Sequence, residues 1–137
     1  MSQYHPKILI VDDNDIMRAL LRGLLRTADY QVVGEARNGL QALEVMEKMA
    51  PDIICLDVMM PELDGLETLK VLKRDYPQVA VVMITGNASV ENVQGALELG
   101  ANGFVVKPFN AAKVLEALSR AWNYRRDELL RNAAPST

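Results

Sequence analysis

The chain contains one cysteine, one histidine and no long apolar run. A single thiol, Cys55, cannot close an internal disulfide, and its place in an apolar segment makes it a small core residue. His5 and Cys55 lie far apart on different elements, so a zinc or copper centre is not expected. No stretch approaches the roughly 20 apolar residues of a membrane span. The apolar segment that follows residues 1–7 covers only 8–11, too short for a signal peptide. The expectation is a cytoplasmic protein with no membrane insertion. A net charge of −3 supplies neither the basic footprint of a nucleic-acid binder nor an affinity for anionic lipid. The one local basic group, Arg120, Arg125, Arg126 and Arg131, is interleaved with Asp127 and Glu128 and reads as a solvated helix face. Glycine-rich phosphate loops are missing too. There is no G-x-x-x-x-G-K-[ST], and no G-x-G-x-x-G follows the first apolar run, which argues against a nucleotide ligand. Nor is there a linker, a low-complexity tract or a sequence repeat.

What is present is the composition of a single globular domain. Half of the 137 residues are apolar and about a quarter are charged. Five apolar runs read as strands, at 7–11, 31–36, 53–56, 79–84 and 102–106. Between and after them lie five helical segments. The first follows a cap at Asp12-Asp13-Asn14 and shows one wide apolar face of Ile16, Met17, Leu20, Leu21, Leu24 and Leu25. The second, about 39–50, is capped by Asn38, turns Leu43, Met46 and Met49 inward, and stops at Pro51. The third starts at Gly65, with Leu66, Leu69 and Leu72 on one face, and ends near Tyr76-Pro77. The fourth follows Asn87, with Val90, Val93 and Leu97 inward and Gly95 inside it, and Gly100 closes it. The last runs from about 110 to 131, with Val114, Leu115, Leu118 and Trp122 as its inner face. Regular strand–helix alternation implies a parallel sheet with helices on both faces. The first, third and fourth strands are uninterrupted apolar runs and belong in the centre. The second, carrying Glu35, and the short fifth belong at the edges.

In an open parallel sheet, ligands bind beyond the carboxyl ends of the strands. The strands deliver Asp12 and Asp13, Asp57, Thr85 and Lys107 to that edge. Three carboxylates repel one another unless a cation intervenes, and hard oxygen donors suit Mg2+. A lysine and a hydroxyl facing such a cation are suited to phosphoryl transfer. With no nucleotide loop, the phosphoryl group must come from elsewhere, and Asp57 is the candidate nucleophile. Taken singly, each residue has a plainer reading. Asp12 and Asp13 can be a helix cap with a favourable charge, Thr85 a turn residue, Lys107 a solvated lysine and Phe104 core. Convergence of Asp12, Asp13, Thr85 and Lys107 with Asp57 on one sheet edge argues against their plain readings, while core remains open for Phe104.

The motifs V-D-D at 11–13, L-D-V-M-M-P at 56–61 with D-G at 64–65, I-T-G at 84–86 and V-K-P-F at 106–109 together resemble a response-regulator receiver domain of the stand-alone chemotaxis (CheY-like) type. The resemblance covers about residues 7–118. It implies a flavodoxin-like α/β fold: a doubly wound five-stranded parallel sheet of order 2-1-3-4-5 with five helices. With the residue reading above, it gives a single receiver domain over 1–137, with a core of about 7–122; the residues themselves extend the last helix to about 131 and leave a disordered tail at 132–137. Asp57 matches the family's phosphoacceptor, taking a phosphoryl group from a phosphohistidine on a histidine kinase or histidine phosphotransfer protein. Asp12, Asp13, Asp57 and the backbone carbonyl of Met59 match the ligands of Mg2+ (or Mn2+). Lys107 and Thr85 match the phosphoryl-binding lysine and hydroxyl switch, Phe104 the aromatic switch, and Lys107-Pro108 the family's cis peptide. Met59 and Asn87 fall at the family's variable positions that set how fast the acyl phosphate hydrolyses. A methionine at 59 leaves the attacking water poorly directed.

The resemblance implies a signalling switch rather than an enzyme that turns over substrate. Its output would be binding of a separate protein by the surface of the fourth helix, fifth strand and fifth helix. Phe104 lacks a tyrosine hydroxyl and, with Met59, speaks against a flagellar-motor role. A haloacid-dehalogenase-type phosphatase would need D-x-D at the nucleophile, where this chain has Asp57-Val58-Met59. A scaffold that is never phosphorylated would not need the intact acidic pair, Thr85 and Lys107. For the long last helix, carrying Tyr124, Leu129 and Leu130, two readings stay open: a frayed extension, or a contact with a partner or second copy. A homodimer would use the last two elements or this helix.

Overall fold

The computed structural model describes residues 4–60 and 64–133. Five strands, β1 (Lys7–Val11), β2 (Gln31–Ala36), β3 (Ile53–Leu56), β4 (Ala80–Thr85) and β5 (Gly103–Val106), alternate with five helices, α1 (Asp15–Thr27), α2 (Gly39–Met49), α3 (Gly65–Asp75), α4 (Val90–Glu98) and α5 (Ala111–Ala133). All pairings are parallel and the strand order is β2-β1-β3-β4-β5. This is the flavodoxin-like topology expected. The strand limits fall within one residue of those read from the apolar runs. Position 61, the end of the L-D-V-M-M-P motif, lies outside the described residues, as do residues 134–137 of the expected disordered tail. Residues 132 and 133 are helical, so α5 is longer than expected and that part of the tail assignment is corrected.

The continuous apolar strands are explained by two cores, one on each face of the sheet. Successive side chains of a strand point to opposite faces. Leu9, Val11, Ile54, Leu56, Val81 and Met83 therefore meet α2 and α3, through Met46, Leu69 and Leu72. Ile8, Ile10, Ile53, Cys55, Val82 and Ile84 meet α1 and α5, through Leu21, Leu25, Val114 and Leu118. Every residue of β3 and β4 is buried.

The helices bury less of their apolar faces than their sequences suggest. On α1, Leu21 and Leu25 are buried, but Ile16 is 71% and Leu20 56% exposed. On α2, Met46 is buried with Ala42 and Gly39, whereas Met49 is exposed. On α4 the expected inner face is wrong. Ala96 is the one fully buried residue, and Val90 and Leu97 are exposed. The helix packs through a small residue, and Gly95 lies close to Leu66 of α3, so the larger side chains on either side are turned away from the sheet. Gly100 (φ +95°) closes α4 as expected. Ala101 N–H donates to Ala96 O at 2.9 Å and Gly100 N–H to Leu97 O at 3.0 Å, the paired bonds of a glycine-terminated helix end.

Arg125 is not part of a solvated basic face. Its side chain is only 18% exposed, 3.4 Å from Asp52, and its guanidinium lies over the Trp122 ring. Asp52, at the amino end of β3, also accepts from the Tyr4 hydroxyl at 2.5 Å and from Lys7 N–H at 2.9 Å. The outer half of α5 is thereby tied to the amino edge of the sheet.

Gly65 is required by contact. A Cβ there would stand 2.0 Å from the carbonyl oxygen of Asp57 and 2.6 Å from Val58 Cα. Gly65 N–H donates to Val58 O at 2.8 Å, and Asp64 caps α3 by accepting from Glu67 N–H. The Asp64-Gly65 pair thus folds the chain tightly back on the residue that ends β3. Gly65→Ala is expected to cost about 3 kcal/mol, the scale of overpacking against an unyielding backbone, measured as a shift of the urea midpoint at unchanged slope.

Candidate functional site

The parallel register aligns the strand ends. Val11 pairs with Leu56, Leu56 with Met83 and Thr85 with Val106. The residues that follow, Asp12, Asp57 and Lys107, therefore emerge side by side. Carboxylate oxygens of Asp12, Asp13 and Asp57 lie within 4.8 Å of one another. Asp12 and Asp57 are 2% and 6% exposed, while Asp13 is open to solvent. Lys107 Nζ donates to Asp12 Oδ2 at 2.6 Å and to Asp57 Oδ2 at 3.1 Å. The Lys107–Pro108 peptide bond is cis.

Burial pushes the Asp12 carboxyl above its ordinary value of 3.8, and the bond from Lys107 only partly offsets it. For Lys107, burial acts to lower the ammonium, but the two carboxylates outweigh it and hold it above its ordinary value. Three carboxylates and one ammonium leave the cluster with two uncompensated negative charges. The donor set is all hard oxygen, partly buried and open on the Asp13 side, and it fits a divalent cation.

Not every expected residue joins this network. Thr85 is fully buried, and its hydroxyl accepts from Asn87 N–H at 3.2 Å. No hydrogen bond links it to Asp57 or to Lys107 Nζ among the described residues, although Lys107 N–H donates to the Thr85 carbonyl at 2.8 Å. Phe104, paired with Met83, is half-buried against the core. Met59 N–H donates to Asp57 Oδ1 at 3.1 Å, and the Met59 side chain stands at the surface. Asn87 Nδ2 reaches Met59 Sδ at 3.4 Å, so the two variable-position residues touch each other.

Sequence reasoning missed the support beneath the cluster. Asn14 N–H donates to Asp12 Oδ1 at 2.9 Å, and Asp12 N–H to Ala36 O at 3.1 Å. Arg18 Nη1 donates to the Asp12 carbonyl at 2.5 Å. An arginine one turn into an amphipathic helix carries no signal that its head group is turned inward.

Comparison with known proteins points to one family. The family model described as the response regulator receiver domain matches residues 8–119. The chemotaxis protein CheY of Listeria monocytogenes is 43% identical, over 84% of this chain and 97% of its own length. Among solved structures, a CheY-like receiver domain protein from Methanospirillum hungatei superposes with a TM-score of 0.86 at 27% identity, covering 91% of this chain and 99% of that one. The CheX–CheY–BeF3–Mg2+ complex from Borrelia burgdorferi gives a TM-score of 0.79 at 29% identity, covering 82% and 85%.

A divalent cation held by these carboxylates would compete with the proton on Asp12. The affinity for Mn2+ is therefore expected to fall with decreasing pH, and to begin falling above 3.8 because the buried carboxyl is raised. Paramagnetic titration of Mn2+ at stepped pH measures this. A decline confined to pH values below the ordinary aspartate range would contradict it.

Proposed function

The chain belongs to the response regulator receiver family, and we propose that it is a phosphorylation-activated switch in which Asp57 is the phosphoacceptor. The family places it in two-component signalling. The donor is a phosphohistidine on a histidine kinase or histidine phosphotransfer protein. The observation that carries the reading is Asp57 itself: a carboxylate 6% exposed, bonded by Lys107 and within 4.8 Å of two further carboxylates.

An Asp57 oxygen attacks the phosphorus, the phosphorus–nitrogen bond breaks, and the imidazole leaves with the bonding electrons. Asp12, Asp13, Asp57 and the Met59 carbonyl would hold Mg2+ or Mn2+, which neutralises charge on the transferring group. Lys107 binds a phosphoryl oxygen, exchanging part of its contact with the carboxylates for it. The acyl phosphate brings an additional charge of about −0.5 to −1 to the site, since a group of about −1.5 to −2 replaces a carboxylate of −1. The Thr85 hydroxyl then turns from Asn87 toward the new oxygens, and Phe104 moves into the space released. The surface of α4, β5 and α5 changes and binds an output protein. The Borrelia CheY was solved with BeF3, Mg2+ and CheX together, an association compatible with a partner bound to a receiver whose site is filled.

The Met59 thioether and Asn87 lie against each other at the mouth. A thioether gives an attacking water no strong acceptor, so the acyl phosphate is slow to hydrolyse and the protein acts as a switch rather than as an enzyme. No helix among the described residues is long and apolar enough to cross a membrane, and we assign the protein to the cytoplasm, where such donors act.

Incubation with Mg2+ and acetyl phosphate is expected to add one phosphoryl group by intact mass, and none in Asp57→Ala. Absence of the adduct from the wild type would favour a scaffold that binds partners unphosphorylated. Met59→Asn is expected to shorten the lifetime of the adduct severalfold, followed as its loss after donor removal. An unchanged lifetime would remove Met59 from this role.

A further inference from the structure

Arg18 is the fourth residue of α1, yet its side chain is only 11% exposed. Its guanidinium binds three elements at once. Nη1 donates to the Asp12 carbonyl at 2.5 Å, Nη2 pairs with Asp15, and Nε lies 3.4 Å from Glu35 of β2. Glu35 is held from its other side by Arg22 at 2.6 Å. Ion pairs to Asp15 and Glu35, whose side chains are 70% and 29% exposed, gain little, and holding a long side chain in one geometry costs conformational entropy. An apolar residue would serve packing better, so the polar contacts point to another use.

The carbonyl that Arg18 grips belongs to Asp12. Every other polar group of Asp12 is also occupied. Its N–H donates to Ala36 O, Oδ1 accepts from Asn14 N–H and Oδ2 accepts from Lys107. With the carbonyl fixed as well, the peptide between Asp12 and Asp13 has one orientation, the Asp12 carboxylate is held at both oxygens, and the point from which the Asp13 side chain departs is set. We propose that Arg18 is a positioning residue for the acidic pair, fixing the Asp12–Asp13 peptide so that both carboxylates face one divalent cation, with Glu35 and Arg22 fixing Arg18. The inference rests on the reading of Asp12 and Asp13 as cation ligands.

Charge and position predict opposite outcomes. If Arg18 acted only as a nearby positive charge, removing it would tighten a cation. If it holds the ligands, removing it weakens the cation, by about tenfold on the scale seen when outer-shell partners of metal ligands are lost. The experiment is a Mn2+ titration by electron paramagnetic resonance on the wild type, Arg18→Met, Arg18→Lys and Glu35→Gln, with thermal unfolding and circular dichroism of each. The expected result is about tenfold weaker binding in folded Arg18→Met. Arg18→Lys is also expected to bind more weakly, because one ammonium cannot span the Asp12 carbonyl, Asp15 and Glu35. A smaller weakening is expected in Glu35→Gln. Equal or tighter binding in Arg18→Met, or full rescue by Arg18→Lys, overturns the proposal. Should Arg18→Met fail to fold, Glu35→Gln decides, and unchanged affinity there overturns it as well. A wild type that binds no Mn2+ overturns the cation reading itself, an outcome distinct from normal wild-type binding with an indifferent Arg18.

Discussion

The structure depends on the contact of one ammonium with two buried carboxylates. Lys107 sits between Asp12 and Asp57, and without it two nearly solvent-free acids would face each other across a few ångströms. Each of the three groups ends a different strand, so their distances are set by the sheet and not by any local turn. A flexible scaffold would let the carboxylates separate and disperse the charge. The two-sided core prevents this, because strands buried on both faces have no neighbouring space to move into. The raised Asp12 carboxyl and raised Lys107 ammonium are the signature of that confinement. A divalent cation suits the remaining charge, and the exposed Asp13 marks the side from which it can enter.

Much of this was legible in the sequence because both signals are short-range. An apolar run of four to six residues that ends in a charged or hydroxyl residue specifies a buried strand and what it delivers, as at 53–57, 80–85 and 103–107. Parallel topology then brings the ends together without further information. The aromatic and hydroxyl positions, Phe104 and Thr85, were located on their strands in the same way, although their hydrogen bonds and packing could not be.

Helix faces were less legible. Periodicity says which residues share a face, but not which part of a wide face meets the sheet. On α1 the sheet takes Leu21 and Leu25 and leaves Ile16 and Leu20 outside, and on α4 it takes Ala96 in preference to Val90 and Leu97. Charged residues drawn inward were the least legible. Arg18, Arg125 and Asp52 occupy positions where a solvated charge would be unremarked, and the partners that draw them in, Glu35 for Arg18 and each other for Asp52 and Arg125, lie on other elements. Asp52 and Arg125, which meet at the amino edge, are separated by most of the fold. Long side chains that cover apolar surface while their head groups find a partner leave no periodic trace.

The two ends of β3 show how these pieces divide the molecule. Asp57 follows the strand within the charged cluster, and Asp52 precedes it among Tyr4, Lys7 and Arg125. Around this fixed strand the helices are unequally anchored. The α1 side is tied by the Arg18–Glu35–Arg22 pairs as well as by Leu21 and Leu25. The α5 helix is held by Val114, Leu118 and Ala121 along its length and by Arg125 beyond them. The α4 helix has Ala96 as its sole fully buried residue and carries Gly95 in its interior, where glycine weakens a helix by about 1 kcal/mol relative to alanine. Local stability follows the number of buried apolar contacts. A change of charge at Asp57, under the proposed reading, will therefore move the element with the fewest ties. That element is α4, which begins five residues after Thr85 and is joined to β4 through Asn87 and Ser89, so the weakest helix is also the one connected most directly to the hydroxyl that responds.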